Sequence, residues 1–554
     1  MAYEELVKVY DKIDATSSRL EKTDIIADFL NSINKTNPEE IYNITLLLMG
    51  KVFPPWSDKE LGVGTQIIIK AISEVITEKP SVIETKLGSV GDLGEITESL
   101  LKNKTQTSFF TNKLTVNKVY SNLRKIETIT GKKSQNKKIN LILELYVSAS
   151  AKEAKYITRT ITEQLRIGVG EGTVVDAIAK AYDVNKKSVE KALMLSNDLG
   201  YVADKARISE DELKKITLTP GKPVKPMLAQ LSEGIKETVS ELKEVICETK
   251  YDGIRVQIHN KNGKINIFTR RLENVTNALP EVVTYLEKAL NIENYIVEGE
   301  VIATKDGQPI SFQYILQRVK RKHNIEEMVK KIPLKVFLFD VLYYEGQTVD
   351  QPIYKRRELL EELVTTSKNV ELSTMKKVSC SNIEEAEKLF EWSINNGHEG
   401  IMLKDMYGEY KPGNRGKKML KYKPVQESLD CIITGGIYGK GKRAKFFGSY
   451  LVSLQDDVGN YVTLAHAATG MNDQLLESLT KRMEKLVISR KGREVKFKPE
   501  VILEISYSEI VESNEYESGY SLRFPVVKRV RDDISGSDVD TLSKLKSIIE
   551  LSKK

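Results

Sequence analysis

Between Thr217 and Met227 the chain reads TLTPGKPVKPM, three prolines and a glycine in a short span. Proline has no N–H to give to a helix or sheet, and it drives the residue before it out of the helical region. No regular element crosses this stretch, so the chain must fold as blocks on either side of it, joined by an extended linker. Before it, apolar residues recur at helical spacing over Ile25 to Ile33, Ile41 to Met49 and Ile139 to Ala149, with breaks at Pro54-Pro55 and Gly88 to Gly94. An all-α domain is predicted over residues 1–217. After it, strand-like segments (Val256 to Ile258, Ile265 to Phe268, Tyr295 to Ile302, Leu334 to Leu342, Ile401 to Lys404) alternate with helical ones (Glu281 to Leu290, Ile383 to Ile394), which predicts an α+β domain over 218–425. Beyond KYKPVQESLD come the short strands CIITGGIY, FGSYLVSLQ, YVTLAHA and VILEISYSEI, predicting a small β-barrel of OB type over 426–554.

A chain of 554 residues has room for three such domains. Its 85 Lys and Arg against 78 Asp and Glu leave a net charge of +7, which permits a polyanionic partner without requiring one. The three cysteines, Cys247, Cys380 and Cys431, are far apart and form no CxxC pair, so neither a disulfide framework nor a zinc site is indicated. The charged, helical start MAYEELVKVYDKI is no secretory signal, and no apolar run reaches membrane-spanning length. A cytoplasmic protein, monomeric and without a membrane partner, is expected.

The chemistry concentrates in ETKYDGIRVQIH. Lys250 precedes the turn-forming Asp252-Gly253 between β-rich flanks, which suits an amine held at a strand end for attack on phosphorus. Further along, YIVEGEVIA sets Glu300 in an apolar strand, where an ionised carboxylate needs a partner or a metal. Glu298 alternates onto the same face. Lys421 and Lys423 in KKMLKYKP alternate onto one face, as two ammonium groups meeting one phosphate would. Arg529 and Arg531 in SLRFPVVKRVRDD share a strand face in the same way.

These strings, in this order, resemble the covalent nucleotidyltransferases, and over nearly the whole chain the ATP-dependent DNA ligases of archaeal type. The resemblance implies sealing of nicks in double-stranded DNA, in replication, repair and recombination, through AMP carried on Lys250. It implies ATP and Mg2+ or Mn2+ as cofactors. Glu248 would read the adenine amino group, and Arg255 and Arg270 (in FTRRLENVT) would hold ribose or phosphate. Phe339 (in VFLFDVLYYEG) would stack on adenine, although a core phenylalanine would read the same way. HEGIMLKDM would supply Glu399 as a metal carboxylate beside Glu300, and Lys404 as a phosphate contact. Arg415 (in PGNRGKK) matches a further family arginine, and Arg529 and Arg531 would take the β- and γ-phosphates of ATP. The family pattern often ends in lysine, where this chain has Ile534. An RNA ligase or capping enzyme shares the lysine motif, but does not need the helical domain.

In that domain, AKYITRTITEQLRIGVGEG resembles the DNA-binding domain of archaeal and eukaryotic ligases. GVGEG follows no predicted strand and so is no dinucleotide loop. Arg166 beside it, and Lys132 and Lys133 in TGKKSQNKK, are expected on duplex phosphates, with the protein associated with the nucleoid of a prokaryotic cell. QTSFF, with Gln106, Phe109 and Phe110, resembles the sliding-clamp-binding word of archaeal ligases, and core packing of the two rings is the alternative.

Overall fold

The structure is a computed structural model describing residues 1–102, 113–320, 323–424, 428–439 and 445–552; Gln106, Phe109 and Phe110 lie outside these. The chain divides into two compact units, Met1–Lys423 and Pro424–Lys554. No helix among the described residues is long and apolar enough to cross a membrane.

In the first unit the described residues from Tyr3 to Lys214 form helices and no strand. The three periodic stretches fall in helices Arg19–Thr36, Ile41–Leu48 and Ser134–Ser148. Small polar residues start many of these helices by accepting their free N–H groups. Ser18 caps at Glu21, and Ser150 and Glu153 cap each other reciprocally. The Gly88 to Gly94 break is a helix-to-helix corner: Gly91 takes φ +70° at the end of Pro80–Val90, and Asp92 caps Leu93–Leu101 while its other oxygen takes Arg159 at 2.9 Å.

The mixed part of this unit contains eleven strands among the described residues: β1 (Gln230–Leu231), β2 (Glu244–Lys250), β3 (Ile254–Lys261), β4 (Lys264–Thr269), β5 (Asn294–Lys305), β6 (Gln308–Pro309), β7 (Leu334–Tyr344), β8 (Val370–Leu372), β9 (Met375–Ser379), β10 (Gly400–Asp405) and β11 (Met419–Tyr422). They form two sheets, ordered β1-β11-β10-β2-β9 and β4-β3-β5-β7-β8, with β6 on β5. Period-two alternation gives each sheet two unlike faces. In the first, Val245, Cys247, Ile401, Leu403 and Leu420 pack with helices Ile235–Leu242 and Glu384–Asn395, and the alternate residues Glu248, Lys250, Lys404 and Lys421 occupy the other face. In the second, Val256, Val297, Val301 and Leu338 build an apolar core, while Arg255, Gln257, Glu298 and Glu300 share the opposite face. The two charged faces meet, with Lys404 of the first sheet 4.9 Å from the ring centroid of Phe339 in the second.

The proline segment is extended, as expected, but it is not a loose tether. Val224 is fully buried and Leu218 nearly so, in a core cluster that runs from the helices to Ile296, Leu342, Val349, Tyr410 and Met419 of the mixed part. On the helical side Lys222 lies over the Trp56 ring at 4.8 Å, and Asn197 donates to the Pro223 carbonyl. On the other side Met227 N–H donates to the Tyr410 hydroxyl at 3.0 Å. A segment that satisfies its backbone groups through side chains from both flanks is a strap, and it explains why the helices and the mixed sheets form one unit.

The second unit contains β12 (Ser428–Tyr438), β13 (Phe447–Gln455), β14 (Tyr461–Ala467), β15 (Val487–Lys491), β16 (Glu494–Phe497), β17 (Ile502–Ser506), β18 (Glu509–Glu512), β19 (Tyr520–Arg523) and β20 (Val526–Val530). β12 pairs with β17 through Ser428 to Ile432 and with β16 through Gly435 to Ile437, before and after an irregularity at Ile433 to Gly435. One strand serving two partners in succession curls the sheet, as the expected barrel requires. Helices Asp473–Glu484 and Leu542–Ser552 complete the unit.

Candidate functional site

The site lies between the charged faces of the two sheets of the first unit. Its floor is the end of β2. The Lys250 carbonyl accepts from Glu399 N–H at 2.9 Å, which sets the start of β10 beside the lysine. The Asp252-Gly253 turn that follows presses against β5. A Cβ on Gly253 would stand 2.4 Å from the Val301 carbonyl oxygen and 3.0 Å from Glu300 Cγ, so a larger residue would push the turn away. Tyr251 is locked beneath, its ring stacked on Phe337 at 3.9 Å and its hydroxyl accepting from Thr374 N–H at 3.1 Å.

On this floor Lys250 Nζ is 2.5 Å from Glu399 Oε2, and Lys423 pairs with the same oxygen. Burial works against the Glu399 charge, but the two ammonium groups outweigh it and hold the carboxyl below its ordinary range. Lys421 has the opposite problem: burial, then Lys423 and Lys250, lower its affinity for a proton. An anion placed among Lys250, Lys421 and Lys423 would relieve that repulsion, and Arg415, in the exposed loop before β11, adds to the same field. Glu300 faces the cluster from β5. Burial pushes its carboxyl up to about 8, against the pull of Lys250 and Arg255. A carboxyl held largely neutral by its surroundings is a ready oxygen ligand once a cation arrives to stabilise the charged form.

The other end of the cleft is organised around Phe339, which an irregularity in the β5–β7 pairing leaves without a β5 partner. Arg255 lies 5.5 Å and Lys404 4.9 Å from its ring centroid. Lys404 differs from expectation. It does not stand with Lys250, Lys421 and Lys423 but forms a buried pair with Glu248 at 2.5 Å, because β10 places it level with Ile246, four residues before Lys250. Removing either partner of such a buried pair costs about 3–5 kcal/mol. Glu248 keeps its other oxygen, Oε1, buried without a hydrogen-bond partner. An exocyclic amino group on a ring stacked over Phe339 would satisfy it.

Arg255 is more constrained than expected for a simple ribose or phosphate contact. Its Nη1 donates to the Met227 carbonyl at 2.7 Å and its Nη2 to Glu298 at 2.6 Å. Glu298, fully buried, is therefore a site residue in its own right, signalled in the sequence by its alternation with Glu300. Arg270 is exposed just beyond β4. In the helical part Lys132 and Lys133 are exposed at the start of helix Ser134–Ser148. Arg166 instead turns back onto the protein, donating to the Gly91 carbonyl and to Gln164. In the second unit β20 ends at Val530, but Arg531 N–H still donates to the Ile502 carbonyl at 2.8 Å, and the two arginines reach Glu504 and Asp430, register partners on β17 and β12, so both turn to one face of the sheet. Arg529 pairs with Glu504 at 2.7 Å, and Arg531 grips Asp430 at 2.7 and 2.8 Å and Asp533 at 2.8 and 2.9 Å.

Three family models match the chain in succession: "DNA ligase N terminus" over residues 2–179, "ATP dependent DNA ligase domain" over 226–423 and "ATP dependent DNA ligase C terminal region" over 443–534. The chain is 69% identical over 553 residues to a DNA ligase of Methanosphaera stadtmanae, covering 100% of this chain and 99% of that one. It is 52% identical to a DNA ligase of Methanobrevibacter smithii (99% and 100% covered) and 40% identical to one of Archaeoglobus fulgidus (100% and 99% covered). Among solved structures, "Pmar-Lig_PreS3" shares the fold with a TM-score of 0.60 at 18% identity, covering 95% of this chain and 99% of that one.

Proposed function

The chain belongs to the ATP-dependent DNA ligases, and from that premise we propose that its Lys250 carries AMP from ATP to a nick in duplex DNA. The observation that carries this reading is the meeting of Lys250, Lys421 and Lys423 on one sheet face around the single carboxylate of Glu399. To attack, the Lys250 amine must give up a proton and its hold on Glu399. Its lone pair then forms a bond to the α-phosphorus as pyrophosphate leaves, with Lys421 and Lys423 offsetting charge on the transferred group. A 5′-phosphate oxygen at the nick next displaces the lysine from phosphorus, and the 3′-hydroxyl finally displaces AMP to close the strand. In this reading Glu248 and Phe339 take adenine, and Arg255, Arg270 and Arg415 hold the ribose and phosphates. With α-labelled ATP, Lys250→Ala is expected to abolish transfer of label to the protein while nicked-DNA binding stays nearly unchanged, and Lys250→Arg is expected to fail as well, because arginine keeps its proton. Label on another residue would overturn the assignment. Sealing of RNA in preference to a DNA nick would favour an RNA ligase, and no labelling of the unaltered protein would favour a non-catalytic DNA-binding scaffold.

Glu300 and Glu399 fit a hard divalent cation, Mg2+ or Mn2+, since they present carboxylate oxygens beside the place where phosphates would sit. When bound, such an ion would neutralise phosphate charge as pyrophosphate departs. Glu300→Gln should slow sealing by more than about tenfold, a loss above ~1.4 kcal/mol, and raise the Mg2+ concentration needed for half-maximal rate. An unchanged Mg2+ titration would remove Glu300 from the ion.

Lys132 and Lys133 offer charge to duplex phosphates without reading sequence. Replacing both with alanine should reduce the slope of log affinity against log salt by roughly two, near 0.9 for each phosphate no longer neutralised. An unaltered slope would place the DNA elsewhere. For the second unit, Arg529 and Arg531 are assigned to the β- and γ-phosphates, which requires them to exchange Glu504, Asp430 and Asp533 for ATP. Since only the first step releases pyrophosphate, Arg529→Ala should cripple adenylylation of Lys250 and largely spare sealing of a pre-adenylylated nick. Equal loss in both steps would give these arginines to the fold or to DNA.

A further inference from the structure

The inner face of β3 carries Arg255, Gln257 and His259 in alternation, and each meets the proline strap at a successive point. His259 Nδ1 accepts from Gly221 N–H at 3.0 Å, Gln257 Oε1 accepts from Val224 N–H at 2.9 Å, and Arg255 Nη1 donates to the Met227 carbonyl at 2.7 Å. The strap thus runs antiparallel to β3, joined by side chains where a neighbouring strand would use backbone. The sequence prepares this: Pro220, Pro223 and Pro226 recur every third residue, and the N–H after each one, at Gly221, Val224 and Met227, points to a side-chain acceptor.

The hydrogen bonds have a fixed polarity. Because His259 Nδ1 accepts, the neutral ring must carry its proton on Nε2, and it donates to Gln257 Oε1 at 2.9 Å. Burial, which pushes the His259 ring down to about 3, keeps it neutral. With its oxygen taking both His259 and Val224, the Gln257 amide must turn its nitrogen to Glu298 Oε1, at 3.2 Å. Glu298 Oε2 then takes Arg255 at 2.6 Å. His259 and Glu298 are 0% exposed and Gln257 4%, so no member can turn to water for a substitute.

We propose that Gln257 and His259 are positioning residues for the ATP step: by holding the strap and orienting Glu298, they fix the guanidinium of Arg255 at the nucleotide end of the cleft. The inference rests on the reading that Lys250 takes AMP from ATP. Both residues spend their hydrogen bonds on the strap and on each other, with Gln257 also reaching Glu298, so their influence should show in ATP use and not in DNA binding. In the full chain, label transfer to Lys250 is followed against ATP concentration, together with nicked-DNA affinity and Tm. Gln257→Met, which keeps the volume and removes the relay, is expected to raise half-saturating ATP about tenfold, leaving DNA affinity unchanged. Should that variant not fold, the pair at 259 decides. His259→Leu should show the same shift, and His259→Gln, which retains a donor where Nε2 stood, should restore half-saturating ATP even where Tm stays lowered. Unchanged half-saturating ATP in folded Gln257→Met or in His259→Leu would overturn the proposal, as would a His259→Gln defect equal to that of His259→Leu. Absence of label at Lys250 in the unaltered protein would instead defeat the underlying reading.

Discussion

The cleft depends on charge pairing across two sheets. Glu248, Glu298, Glu399, Lys250, Lys404, Lys423 and Arg255 could not share a partly dry space unless opposite charges met. Glu248 with Lys404, Glu298 with Arg255, and Glu399 with Lys250 and Lys423 meet that need, each ion pair at 2.6 Å or closer. The pairs are possible only because each sheet turns its apolar side to helices or core and its charged side to the other sheet. Folding the cores and assembling the site are therefore one event.

The strap adds a second level of constraint. It binds the helical part through Lys222 on Trp56 and the mixed part through β3, so the two parts share a core although one is built of helices and the other around sheets. A displacement of the helical part would reach Arg255 through the strap's hydrogen bonds to β3 and not merely through a tether.

Much of this was legible in the sequence, and the residues show why. The helical periods, the strand alternation and the turn at Asp252-Gly253 are local patterns, and they located the elements that bear Lys250, Glu300, Lys421 and Lys423. What was not legible depends on how distant strands register. Nothing near Lys404 says that it will stand level with Ile246 and meet Glu248, and nothing near Arg166 says that it will fold back on Gly91. The prolines marked a boundary, but their threefold spacing acquired meaning only beside Gln257 and His259. Helix Asp473–Glu484 carried its own signal, Asn472 as cap and Leu476, Leu479 and Met483 at helical spacing, yet it lies between strand-rich stretches that outweighed it.

Glu399 serves two lysines with one oxygen, and this has a consequence for how mutational data on this cleft can be interpreted. A change at Lys250 leaves Glu399 to Lys423 alone, a change at Lys423 does the reverse, and a change at Glu399 releases both ammonium groups to repel each other and Lys421. Effects of single substitutions among groups in such proximity do not add. The free energies forfeited at these positions, summed one by one, would count the same electrostatic balance more than once, and only the combined variants can apportion it.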